Sequence, residues 1–190
     1  MLTKEFIKYS LTLLMSLTIS NIGLSQCEFE PSEKVTKLLE KSADKKKYDS
    51  EKRNDFLIDA LDEDDKCWPC MHRLGVLNFK RSKRSGSSFG NAQSMLNQLT
   101  EACPEYHSDP LYYLGAISYA ERDYEAALDY FDRFIHFPDD DPSAFAKDYD
   151  KKYDEVQETL PDIRFWKEFY ESDMELNPTR VDGVSSTSDE

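Results

Sequence analysis

The sequence predicts an all-α fold in which antiparallel helical hairpins stack into a short array. Apolar residues recur at helical spacing through most of the chain beyond Pro31, short polar turns interrupt them, and small residues stand where the helices of one hairpin would cross. With 190 residues, 39% of them apolar and 13% aromatic, the chain can bury a core of its own, while 33% charged residues describe a heavily solvated exterior.

Residues 1–26 read as a secretory signal peptide. Lys4 and Lys8 make a positive start, Leu11 to Leu24 is apolar but short for a membrane span, and Gly23-Leu24-Ser25 offers a small-residue cleavage pattern. Leu24-Ser25-Gln26-Cys27 is also similar to a lipobox, from which Gln26 departs. Two routes therefore stay open: ordinary signal-peptidase cleavage, or lipidation of Cys27, the only means by which the mature chain, with no transmembrane span, would attach to a membrane.

The helical region, 27–175, divides into hairpins at about 32–64, 68–104, 109–138 and 142–173, with an extended tail over 176–190. In the first hairpin Val35, Leu38 and Leu39 face Phe56, Leu57, Ala60 and Leu61 across the turn at Lys45 to Asp49. The acidic run Asp62 to Asp65 breaks the pattern, and Pro69 suits the first turn of the next helix. In the second hairpin Leu74 and Gly75 oppose Ala92, Met95, Leu96 and Leu99, closing at Cys103-Pro104. Between them Lys80, Arg81, Lys83 and Arg84 stand in a Ser/Gly-rich stretch read as a solvated loop. In the third hairpin Asp109 acts as N-cap before Pro110, and Leu111, Leu114 and Ile117 pack against Tyr124, Ala127, Leu128, Phe131 and Phe134. The fourth starts at Asp139 to Pro142, carries Phe145, Tyr149, Tyr153 and Val156, and returns through Ile163, Trp166, Phe169 and Tyr170 as a terminal cap.

Leu74, Gly75, Ala92, Leu96 and Pro104, and again Leu114, Gly115, Tyr124, Ala127, Phe131 and Pro138, resemble the core pattern of tetratricopeptide repeats, which implies a short right-handed solenoid. A narrower resemblance rests on Cys27 after the signal peptide, the run Cys103-Pro104-Glu105-Tyr106-His107-Ser108-Asp109-Pro110, Asp139-Asp140-Asp141, and Asn177-Pro178-Thr179-Arg180 with Val181 to Ser186. These are similar to the amino-terminal part of Bacteroidetes cell-envelope proteins, in which a tetratricopeptide region precedes a beta-propeller of the PD40 type and an OmpA-like peptidoglycan-binding domain. Some members of that family serve type IX secretion and gliding. The resemblance implies a periplasmic, outer-membrane-associated scaffold. The sequence ends at Glu190, where the propeller would begin, and so reads as a fragment or as a short stand-alone adaptor.

The formal charge of -14 sets long-range electrostatics against nucleic acid and anionic membranes. Cys67-Trp68-Pro69-Cys70 has redox-motif spacing, but no strand precedes it and Asp62 to Asp65 disfavour a thiolate. Cys67, Cys70, Cys103 and His107 have spacings that zinc would accept. In an oxidising compartment a disulfide takes precedence, tying Cys103 to Cys70, or alternatively to Cys67, across the two ends of the second hairpin. His72, His107 and His136 form no catalytic constellation, and the carboxylates lie in solvated runs, so neither an enzyme, a cofactor nor a metal centre is expected.

What remains is binding of an envelope protein or peptide, with a ligand-free spacer as the alternative. The expected groove lies on the first helices of successive hairpins. Its candidate residues are His72, Arg73 and Phe79 in one repeat and Asp109, Tyr112 and Tyr119 in the next, beside Val76 and Ala116. Phe79 reads first as core; Tyr112 and Tyr119 combine ring area with a hydroxyl, and Arg73 would offer a carboxylate contact.

Overall fold

Helix α1 (Glu33–Ala43) begins where the Ser32 hydroxyl accepts the Val35 N–H at 3.2 Å, and α2 (Ser50–Glu63) where Asp49 accepts the Lys52 N–H at 2.8 Å. The turn between them is organised by one carboxylate oxygen of Asp44, which takes the N–H groups of Lys46 and Lys47, both at 3.0 Å. Val35, Leu57 and Ala60 meet across the pair as the sequence pattern requires. These helices belong to a computed structural model that describes residues 27–138 and 148–172. The signal-peptide reading of 1–26, the helix start at Asp139 to Pro142 with Phe145, and the tail over 176–190 lie outside the described residues.

Helix α3 (Trp68–Ser85) holds Pro69 in its first turn and ends at Gly86, whose φ of 70° is the left-handed conformation that favours glycine. Lys80, Arg81, Lys83 and Arg84 therefore lie on the last turns of a helix, correcting the reading of this stretch as a loop. Basic side chains suit the carbonyl end of a helix, and the Ser82 hydroxyl donates to the Ser88 carbonyl at 2.7 Å, closing the tight connection to α4 (Gly90–Ala102). A Cβ on Gly75 would sit 2.6 Å from Leu96, so the small residue sets the approach of α3 to α4.

Helix α5 (Asp109–Ala120) repeats the arrangement with α6 (Tyr124–Ile135), where a Cβ on Gly115 would lie 2.6 Å from the Phe131 ring. Arg122 turns the chain between them at φ 65°, and Asp123 caps α6 by accepting the Ala126 N–H at 3.1 Å. Asp109 is the first helical residue rather than the N-cap; Ser108 precedes the helix, and the Asp109 carboxylate points away to other helices. Helix α7 (Tyr149–Glu171) runs without a break through Pro161, correcting the return helix expected from Ile163 onward. The segment between Val156 and Ile163 has no glycine or asparagine to reverse the chain, and a proline accepts helical φ while forgoing one backbone hydrogen bond. Val156, Leu160 and Ile163 thus form one buried stripe on a single helix.

Among the described residues these seven helices form hairpin-like pairs, and the core follows the chain in stages. Val35, Leu57 and Leu74 pack around α1 to α3; Phe79, Leu96 and Leu114 around α3 to α5; Leu111, Phe134 and Ile163 around α5 to α7. Contacts run between sequence neighbours and also between α3 and α5 and between α5 and α7, which places these alternate helices side by side.

Candidate partner-binding cleft

The row of alternate helices α3, α5 and α7 encloses a cleft of about 350 Å³. Phe79 and Lys83 border it from α3, Tyr112, Ala116 and Tyr119 from α5, and Glu155 from α7. Of the expected groove residues, three reach it. Tyr119 is half-buried on its wall and also borders a second hollow of about 280 Å³ toward Trp166 and Tyr170. Tyr112 is half-buried among rings, 5.2 Å from Tyr113 and 5.7 Å from Phe134 between centroids. Burial, and then the neighbouring Glu155 carboxylate, push its phenol well above the usual tyrosine range. Phe79 is 7% exposed, stacked on Phe89 at 5.4 Å and edge-on to Tyr113 at 5.0 Å, so only its rim belongs to the cleft and its body is core.

The other three do not form an open groove surface. His72 Nε2 lies 2.9 Å from one oxygen of Asp109, and the Lys152 ammonium pairs with the other oxygen. This cluster joins α3, α5 and α7, with all three side chains largely enclosed. Burial alone would raise the Asp109 carboxyl, but the hydrogen bonds and charges of His72 and Lys152 outweigh it and hold the carboxyl at about 2. The Asp109 N–H donates to His107 Nδ1 at 2.8 Å, and the His72 and His107 rings lie 5.3 Å apart. Lys152 also stands over the rings of Tyr112 and Tyr113, at 5.3 and 4.9 Å from their centroids. Arg73 points the opposite way, donating to the Leu39 carbonyl at 2.9 Å and the Ser42 hydroxyl at 3.3 Å, and so fastens α3 to the end of α1. These side chains hold helices together.

The cysteines pair differently from the sequence expectation. Cys103 is bonded to Cys27, and Cys67 to Cys70. Cys67 and Cys70 stand three residues apart at the start of α3, where the backbone brings their Cα atoms to 5.2 Å without any help from α4. Cys103 at the end of α4 is then met by the amino-terminal segment, which Phe29 seats against both neighbouring cores. The expected Cys70–Cys103 staple is thereby corrected, and the sulfur of Cys27, the lipidation candidate, stands in the bond to Cys103. The four sulfurs are likewise withdrawn from zinc.

Sequence reasoning missed the contribution of α7, because Lys152 and Glu155 were assigned to a hairpin arm rather than to a third wall. It also missed Lys83. On a continuous α3, Val76, Phe79 and Lys83 fall at i, i+3 and i+7, a spacing that marks one face and would have placed Lys83 beside Phe79. Compared with protein-family profiles, with curated proteins and with solved structures, the chain has no match.

Proposed function

We propose that this chain is a non-enzymatic, tetratricopeptide-type scaffold of the bacterial cell envelope, a right-handed helical array whose inner row binds a protein or peptide partner. The observation that carries the reading is the cleft between α3, α5 and α7, walled by Tyr112 and Tyr119 on helices fixed from below by close glycine crossings. Rigid aromatic side chains on preorganised helices give contact area at small entropic cost, which is what a repeat module offers a partner. Export to the periplasm, beside the outer membrane, is supported by the signal-like start and by the two disulfides, bonds that persist in oxidising compartments. Membership of the Bacteroidetes envelope family rests on the sequence resemblance alone. Among the described residues no helix is long and apolar enough to cross a membrane.

A second reading, a spacer with no ligand, draws support from His72, Arg73 and Asp109, all engaged in joining helices. Site-specific photocrosslinking separates the two. A photoreactive residue at Tyr119 should give discrete adducts in envelope preparations, and one at the exposed Gln98 on α4 should not. Equal labelling at both positions, or none at Tyr119, would favour the spacer.

A further inference from the structure

We propose that the cleft takes an extended acidic peptide, seating one large apolar side chain between Tyr112 and Tyr119 and one side-chain carboxylate against Lys83 and Lys80. The inference rests on reading the cleft as a binding site and adds the chemistry of its occupant. At about 350 Å³ the cleft lies at the small end of ligand pockets, which run to about 1,000 Å³, and so suits a side chain or two rather than a whole helix.

Its two edges differ in how their polar groups are satisfied. On the α7 edge the Glu155 carboxylate stands near the Tyr112 phenol, and the Thr159 hydroxyl already donates to the Glu155 carbonyl at 2.6 Å. On the α3 edge neither Lys80 nor Lys83 is in an ion pair among the described residues. Lys83 lines the cleft. Lys80 lies one turn back, where partial burial first and then Lys152 and Lys45 disfavour its charge, with Asp109 and Asp148 opposing them. Among the described residues Lys152 has its ion-pair partner in Asp109, whereas Lys80 and Lys83 have no carboxylate at ion-pair distance. Cations gathered beside an apolar wall, in a chain of formal charge -14, call for a local anion carried by an apolar body. Nucleic acid and anionic bilayers bring extended negative charge that the rest of the surface repels, whereas one or two carboxylates on a peptide meet only the α3 edge. Glu155 opposite fixes the direction, since a carboxylate laid across the α7 edge would meet a like charge.

The test is fluorescence anisotropy with the full chain and acetylated, amidated octapeptides carrying one Phe or Leu and two Glu one to three residues away, against the same peptides with Gln. A Glu peptide should bind, and either its Gln counterpart or the Lys80→Ala/Lys83→Ala protein should lose about tenfold, the value of one charge-assisted contact. Tyr119→Ala should weaken Glu and Gln peptides alike, and circular dichroism of both variants should match the parent. Glu and Gln peptides binding equally, or binding unaffected by the lysine changes, would overturn the acidic occupant and leave the cleft as a peptide site. If no apolar peptide of either charge bound, both readings would fall. Lysine-dependent capture of polyuridylate or of phosphatidylglycerol vesicles, with no Glu peptide bound, would also overturn the proposal.

Discussion

Replacing Gly115 by alanine tests whether the α5–α6 crossing is as close as it looks. The added Cβ would stand 2.6 Å from two carbons of the Phe131 ring and 3.0 Å from a third. That ring is 3% exposed and is held by the core it shares with Val156, Leu160 and Ile163, so it cannot swing into solvent. Forcing one carbon into such a core costs about 1–3 kcal/mol. Alanine returns about 1 kcal/mol through its better helix propensity. The balance is a loss of about 1 kcal/mol and at most about 2, or roughly 2–8 °C in melting temperature for a chain of this size. Guanidinium unfolding followed by circular dichroism, alongside calorimetry, reads the change. The double variant with Phe131→Leu should recover part of the loss, with a coupling of about 1 kcal/mol between the two sites. A Gly115→Ala protein more stable by about 1 kcal/mol, as expected for an open helical position, would refute the close crossing, and so would additive single changes.

Three further outcomes are expected. Non-reducing peptide mapping should recover Cys27 with Cys103 and Cys67 with Cys70, and Cys27→Ser with Cys103→Ser should lower stability by up to about 4 kcal/mol, because that bond closes a separation of 76 residues; a Cys70–Cys103 peptide would reverse this assignment. Asp109→Asn should cost about 3 kcal/mol by leaving Lys152 enclosed without its counter-charge. Since the Asp109 carboxyl is lowered from 3.8 to about 2, its contribution is complete above the unfolded value and fades as pH falls through the folded one, so acid titration of the parent should lose stability between those pH values and the variant should lose less. Arg122→Gly should raise the melting temperature slightly, since leaving left-handed strain worth about 1–2 kcal/mol exceeds the extra chain entropy of glycine, about 0.5–1 kcal/mol; a lower melting temperature would show that the arginine side chain matters more than its backbone.

The sequence made the first three hairpins legible because their signals are local: apolar stripes on either side of the turn at Lys45 to Asp49, Pro69 in a first turn, and Gly75 and Gly115 opposite Leu96 and Phe131. It failed where meaning depended on distant residues. Pro161 looks like a breaker until α5 and α6 offer a surface long enough to bury Val156, Leu160 and Ile163 on one uninterrupted helix. Asp109 resembles a cap until His72 and Lys152, 37 and 43 residues away, draw its carboxylate off. Cys27 offers no hint of its partner, since no periodicity links a residue before the first helix to one closing the fourth. In the cleft, Tyr112, Tyr119 and the rim of Phe79 were readable from the faces of the first helices of successive hairpins, whereas Glu155 and Lys83 required knowing that α7 completes the wall and that α3 continues past Phe79.

The Cys27–Cys103 bond changes how the molecule would bear load. Tension applied at residue 27 passes through the sulfurs straight to the chain beyond α4, so α1, α2, α3 and α4 hang as a slack loop beside the line of force. About 76 residues, roughly 250 Å of extended chain, are thereby withheld from stretching until a reductant cuts the link. A pull from either side is felt first by α5, α6 and α7, the helices that carry most of the cleft, so the most tension-sensitive part of this protein is also the part proposed to hold its partner.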